Sequence, residues 1–170
     1  MNYDSLELIE SQTAVCKNQI SYIPTLLSFR EIHSTVMSIR KLKTPPGLFL
    51  VDGQGYAHPY RCGFASRLGL VIRKPTIGTA KSKLVGETVN APMQESSAFP
   101  RHKDEIIEAA VSTGHGSKLV YVSTGHMVSL DTAIRIIKHC TQKNRIPEPL
   151  LKAHEITTEE KRKRQYSISE

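Results

Sequence analysis

Three residues have both the type and the placement for acid or metal chemistry: Asp52, Glu31 and His126. Asp52 follows the apolar run Leu48-Phe49-Leu50-Val51 and precedes Gly53-Gln54-Gly55. A short continuous apolar run suits a strand covered on both sheet faces. Its last residue then stands at the carboxyl edge of the sheet, where open sheets place ligands. The glycines let a backbone or substrate come close, although an Asp-Gly turn without chemistry fits the same residues. Glu31 reads as a metal ligand, or equally as the far member of a helix capping box opened by Ser28. His126 follows an apolar strand in Thr124-Gly125-His126 and is expected at the same sheet edge as Asp52. Each is weak alone. Together they suggest an oxygen-rich site for Mg²⁺ or Mn²⁺, whose natural chemistry beside basic residues is phosphate ester hydrolysis.

The elements that must position these residues follow from hydrophobic spacing. Leu6, Leu8 and Ile9 open a half-alternating stretch that reads as a strand or hairpin. After the turn at 22–29, Ile32, Val36 and Ile39 recur at four and three residues, one apolar helix face ended by Lys43-Thr44-Pro45-Pro46-Gly47. A second helix is expected over Arg61 to Leu70, then a short strand near Val71. The polar stretch from Val85 to Lys103 reads as a loop. Ile106 to Ser112 and Lys118 to Thr124 form a predicted hairpin, and a last helix begins near Ser129 with Ile134, Ile137 and His139 or Cys140 inward. This order implies a mixed sheet flanked by helices. One domain is expected over 1–150, followed by a polar basic tail over 151–170.

The composition narrows the function. The chain has 170 residues with a formal net charge of +7, which favours an anionic partner, nucleic acid first. Lys41 and Lys43, Arg73 and Lys74, and Lys81 and Lys83 flank predicted turns, where phosphate contacts are commonly made. The run Lys161-Arg162-Lys163-Arg164 reads as a solvated end. Cys16, Cys62 and Cys140 are odd in number and far apart, which argues against a disulfide framework or cysteine zinc site and favours a reducing cytoplasm. No apolar run approaches the roughly 20 residues that span a bilayer.

Several segments then add up in order: Tyr22-Ile23-Pro24, Leu27-Ser28-Phe29-Arg30-Glu31, Val51-Asp52-Gly53-Gln54-Gly55, His58-Pro59, Pro75-Thr76-Ile77-Gly78-Thr79-Ala80-Lys81, Thr124-Gly125-His126-Met127-Val128-Ser129 and Arg145-Ile146-Pro147-Glu148-Pro149. In that order they resemble the endonuclease V family, from about Tyr3 to Pro149. The resemblance implies a ribonuclease H-like α/β fold. It also implies cleavage of nucleic acid, DNA or RNA, at the second phosphodiester bond 3′ to a deaminated adenine (inosine), with Mg²⁺ or Mn²⁺ and no other cofactor. By the same resemblance Glu31 and Asp52 are acidic metal ligands, His126 the active-site histidine and Lys81 the lysine near the scissile phosphate. Tyr22, Ile23 and Pro24 would be the wedge that replaces the displaced base. The backbone at Leu27, Gly53 and Gly55, with His58 beside it, would line the base pocket. No protein partner and no membrane is implied.

Two departures shape the expectation. The family begins with a further strand pair whose first strand carries an aspartate in a Val-Asp motif, whereas Tyr3-Asp4-Ser5-Leu6-Glu7-Leu8 matches its next segment. A central strand and one metal ligand are therefore expected to be absent, leaving either the enzyme, weakened, or a nucleic-acid-binding relative that cleaves poorly. Thr25 stands where the family usually has glycine beside the pocket, and Ser21 where it commonly has proline. Charge predicts a first outcome. Affinity for an inosine-containing strand should fall steeply between about 50 and about 200 mM salt; a titration showing no slope would contradict phosphate-led binding.

Overall fold

The computed structural model describes residues 1–16, 23, 25–85, 97–103, 105–113 and 118–167. Helix α1 (Leu27–Arg40) leads to strand β1 (Phe49–Asp52), helix α2 (Phe64–Ile72) and strand β2 (Thr76–Ala80). Short strands β3 (Ser97–Ala98), β4 (Arg101–His102), β5 (Glu105–Ile106) and β6 (Ala109–Val111) precede the longer β7 (Val120–His126). Helices α3 (Leu130–Cys140) and α4 (Glu148–Ser167) complete the chain. Five strands form one sheet in the order β1-β2-β7-β6-β3, while β4 and β5 pair separately. Only β1 and β2 run parallel; β7 is antiparallel to both its neighbours.

The alternation of β1 explains how one strand serves two layers. Leu50, with Leu48 before it, packs into the cluster of Ile77, Val111, Val120 and Val122 under Ala133, Ile134 and Ile137 of α3. Phe49 and Val51 face the other way, onto Leu68 and Ala65 of α2 and Ile32, Val36 and Ile39 of α1. Each fully buried aliphatic side chain contributes roughly 1.5–3 kcal/mol, so these two clusters clamp the sheet between helix layers. The mixed sheet with helices on both faces matches the fold class expected from the order of elements. No helix among the described residues is long and apolar enough to cross a membrane.

Several local expectations are corrected. Residues 6–9 form no strand: Leu6 takes φ 54°, which breaks an extended run. The segment is tied down by side chains instead, with the Glu10 carboxylate accepting the Lys43 and Thr44 backbone N–H groups at 3.0 Å. Those bonds, the Lys43 N–H foremost, hold that carboxyl below its usual range. Ser28 caps nothing; it is buried in the first turn of α1, whose N-cap Leu26 makes no side-chain cap bond. Val71 belongs to α2, since Ala65, Leu68 and Ile72 supply an inward face and leave Leu70 and Val71 exposed. The left-handed Arg73 ends that helix, and the strand comes later, at Thr76. Cys140, not His139, turns into the core from α3. Residues beyond 150, expected as a tail, continue helix α4 as far as Ser167, with Lys161 to Arg164 exposed. The predicted hairpin of β6 and β7 is present, although its turn at 114–117 lies outside the described residues.

One core residue had no place in the sequence reading. Glu108, immediately before β6, is fully buried, and neither carboxyl oxygen has a hydrogen-bond partner among the described residues. Burial pushes its pKa from 4.5 up to about 7, and the Lys83 ammonium only partly opposes this. The folded chain therefore holds this proton across that window while the unfolded chain loses it, so stability falls as pH rises from 4.5 to about 7. Glu108→Gln should match the wild type near pH 5 and exceed it by about 3 kcal/mol near pH 8, at about 1.36 kcal/mol per pKa unit. Urea unfolding of both proteins at the two pH values checks this; a difference independent of pH would refute it.

Candidate active site

Parallel pairing puts the ends of β1 and β2 at one edge. Asp52 lies level with Thr79, and Lys81 follows Ala80 one residue beyond β2. Lys81 Nζ stands 3.9 Å from Asp52 Oδ2, with the two side chains 58% and 60% exposed. An ion pair so open to water contributes little to stability. Both charges can therefore exchange this contact for a ligand.

His126 is not at that edge, which corrects the sequence expectation. Because β7 runs antiparallel, its last residue pairs with Thr76, which is level with Phe49 at the start of β1. Three residues of strand, about 10 Å, separate that row from the row of Asp52. His126 packs there against α2, where a Cβ on Gly69 would lie 2.3 Å from the His126 Cβ. Glu31, in the second turn of α1, pairs with Arg30 at 3.2 Å. No hydrogen bond or ion pair joins Glu31 to Asp52, Lys81 or His126, and among the described residues no three His, Cys, Asp or Glu side chains cluster as a metal site.

Beside the Asp52–Lys81 pair lies a pocket of about 240 Å³, lined by Thr25, Leu27, Gly53, Gln54, His58 and Lys83 among others. Its floor is the loop after Asp52, laced to the sheet. Gly53 N–H donates to the Thr79 carbonyl at 2.9 Å and Tyr56 N–H to the Thr124 carbonyl at 2.7 Å. Gly55 N–H donates to Ser123 Oγ at 2.8 Å. A Cβ on Gly55 would meet the Thr124 carbonyl oxygen at 2.1 Å, so only glycine lets the loop lie this flat. Gly55 thus acts from behind the pocket and does not line it. Of the expected wedge, Ile23 is exposed, whereas Tyr22 and Pro24 lie outside the described residues.

His58 is buried at the pocket wall. Tyr60 N–H donates to its Nδ1 at 3.3 Å, so Nε2 carries the proton and donates to the Thr25 carbonyl at 3.0 Å. Burial chiefly, with the Arg67 cation adding to it, holds the imidazole below its ordinary pKa against the opposing effect of the Thr25 bond. A neutral His58 therefore pins Thr25, a β-branched residue at φ 71°. Sequence reasoning missed Gln54 and Ser123, which join the loop to the sheet and to the Ser82 carbonyl. A polar side chain between two glycines was the available signal.

As a metal centre the described residues offer Asp52, with water, and not a closed protein cage. That fits Mg²⁺, which commonly keeps waters and is held by one or two carboxylates plus substrate phosphate.

Comparison with known proteins places this geometry. The endonuclease V family model matches residues 1–155. Endonuclease V of Rippkaea orientalis is 45% identical over 149 residues, which span 87% of this chain and 65% of that protein, about two thirds of its length. Among solved structures, endonuclease V of Streptomyces avermitilis superposes with a TM-score of 0.76 at 38% identity, covering 85% of this chain and 64% of that one. Endonuclease V of Ciona intestinalis, in complex with a 24mer DNA containing an inosine followed by a ribo-adenosine, gives a TM-score of 0.76 at 33% identity over 87% of this chain and 70% of that one.

A β-branched residue held at positive φ stores on the order of 1–3 kcal/mol, and glycine returns part of that through unfolded-state entropy. Thr25→Gly should therefore raise Tm by about 2–4 °C, the shift that roughly 1 kcal/mol gives at this size. A fall in Tm in a thermal melt would mean that the Thr25 side chain supports the pocket rim by contact.

Proposed function

Because the chain belongs to the endonuclease V family, with its ribonuclease H-like fold, we propose that it is a metal-dependent endonuclease. Its substrate is inosine-containing nucleic acid, DNA or RNA, cut at the second phosphodiester bond 3′ to the deaminated base in the course of DNA repair. One observation carries this reading: an exposed carboxylate and ammonium, 3.9 Å apart, flank a pocket whose walls include the residues next to each of them. Gly53 follows Asp52, and Ala80 and Ser82 bracket Lys81. A displaced base and its neighbouring phosphate can thus be held together. The inosine-bearing DNA bound by the Ciona intestinalis relative supports the substrate class.

In this mechanism Asp52 would hold Mg²⁺, or Mn²⁺ in its place, with Glu31 of α1 as the second acid. When bound, the ion would supply charge for the phosphate oxygens and lower the pKa of a water. Lys81 donates to a non-bridging phosphate oxygen, and its cation favours the extra negative charge of the transition state. The buried pocket wall excludes water from the base, with Leu27 and Gly53 against the ring and His58 holding the Thr25 carbonyl. By the family resemblance, Tyr22, Ile23 and Pro24 take the space that the base leaves, and Ile23 is exposed, as such a wedge requires. His126, the active-site histidine by resemblance, stands in the row of Thr76 and Phe49, away from that of Asp52. The enzyme works in the cytoplasm.

A second reading, nucleic-acid binding with poor cleavage, is favoured by the lack of a three-residue metal cluster among the described residues. Asp52→Asn separates the two. As loss of a direct metal ligand, it should reduce Mn²⁺-dependent cleavage of an inosine strand by more than the roughly 10–100-fold typical of an outer-shell group, with circular dichroism and strand binding retained. Undiminished cleavage would sink the assignment of Asp52, and loss of the folded spectrum would make it a turn residue. Inosine-selective binding by the wild type without cleavage in either metal would establish the second reading.

A further inference from the structure

Lys81 lies past the end of β2, beyond the last ladder pair, Ala80 with Tyr121. Its side chain is long and more than half exposed, so what fixes its backbone decides where its ammonium can be. The Lys81 carbonyl accepts a hydrogen bond from Arg145 Nη2 at 2.8 Å. The same nitrogen donates to the carbonyl of Leu119, just before β7. One residue on, the Ser82 carbonyl accepts from Gln54 Nε2 at 3.2 Å. Successive carbonyls of the segment are thus held from two sides, one by the pocket loop and one by Arg145.

Arg145 is itself well anchored. Thr113 Oγ1 donates to its carbonyl at 3.3 Å, Ile146 packs against the core beneath α3, and Pro147 is fully buried. Its Nε is buried without a partner among the described residues, so its recorded side-chain bonds all go to the two carbonyls. A carbonyl bond does not touch the lysine ammonium directly. It acts on geometry, by giving the four-carbon stem a fixed origin from which Nζ meets Asp52.

We infer that Arg145 is a positioning residue for Lys81, tying the end of β2 to the start of β7 so that the ammonium stands beside Asp52. This rests on the role given to Lys81 above, and misplacement by about 1 Å in such a group can cost about 100-fold in rate.

The test uses Arg145→Lys, which keeps a cation but not the planar fork, in wild-type and Lys81→Ala backgrounds. Cleavage of an inosine strand by Arg145→Lys should lose about tenfold or more in kcat with KM within about twofold. In the Lys81→Ala background the same substitution should cost nothing, because coupled residues are non-additive. A second readout needs no activity: ¹³C-methylated lysines are followed by NMR, with the Lys81 signal assigned by Lys81→Arg. Arg145→Lys should shift that signal while the other lysines hold. Additive losses in the double variant, or an unmoved Lys81 signal in the folded Arg145→Lys protein, would overturn the inference. If Arg145→Lys fails to fold, Arg145→Gln, which retains a donor, takes its place with the same expected outcomes. A wild type that cleaves nothing removes the nuclease reading, and the NMR signal then decides the role of Arg145 alone.

Discussion

The parallel ladder between β1 and β2 sets the position of everything chemical in this chain. Its register puts Asp52 level with Thr79, so the residue after one strand and the residue after the other leave the sheet at the same edge. Were the two strands antiparallel, Lys81 would emerge beside Phe49 and never meet Asp52. The parallel pair needs a crossover, and α2 supplies it, packing Leu68 and Ala65 onto Val51. Sheet, crossover and acid–base pair are thus one constraint. The antiparallel β7 then carries His126 to the opposite edge by the same logic.

A second constraint is how closely backbone can approach backbone. The loop after Asp52 does not project into solvent; it folds back over β2 and β7 and donates three N–H groups to them. Such donors would otherwise need water, and a buried unpaired N–H is costly. Side chains at Gly55 would push the loop off the sheet, and the pocket floor with it. Recognition here therefore depends first on the absence of atoms, and only then on His58 and Thr25 at the wall.

What was legible in the sequence followed from period and punctuation. The face Ile32, Val36 and Ile39, the apolar run ending at Asp52 and the α3 spacing all report burial, which the structure repeats. The ordered motifs placed Asp52, Lys81, Gly53 and His58 together because a family resemblance carries tertiary information that spacing does not. The edge at which His126 stands was missed because strand direction leaves no mark in a single strand's sequence. The strand at Leu6 to Ile9 failed because alternation was read without φ, which Leu6 makes positive. Helix α4 was read as tail because its polar, weakly patterned residues show charge and little periodicity. Glu108 was invisible for a simpler reason: burial of a carboxylate opposes the general rule for that side chain.

The remaining pattern is a division between groups that titrate or exchange and groups that hold. Asp52 and Lys81 are open to water, where charge is cheap to rearrange when a ligand arrives. Around them several polar groups are buried and paired: Ser123 with Gly55 and Gln54, Gln54 with Ser82, His58 with Thr25 and Tyr60. Protonating His58 would set an N–H against the Tyr60 N–H and desolvate a cation, so its neutral form is part of the wall. Rigid, low-dielectric surroundings beside an exposed ion pair let a site keep its shape while its charges change partners. That arrangement puts orientation in the fold and leaves the chemistry to the few side chains that water can reach.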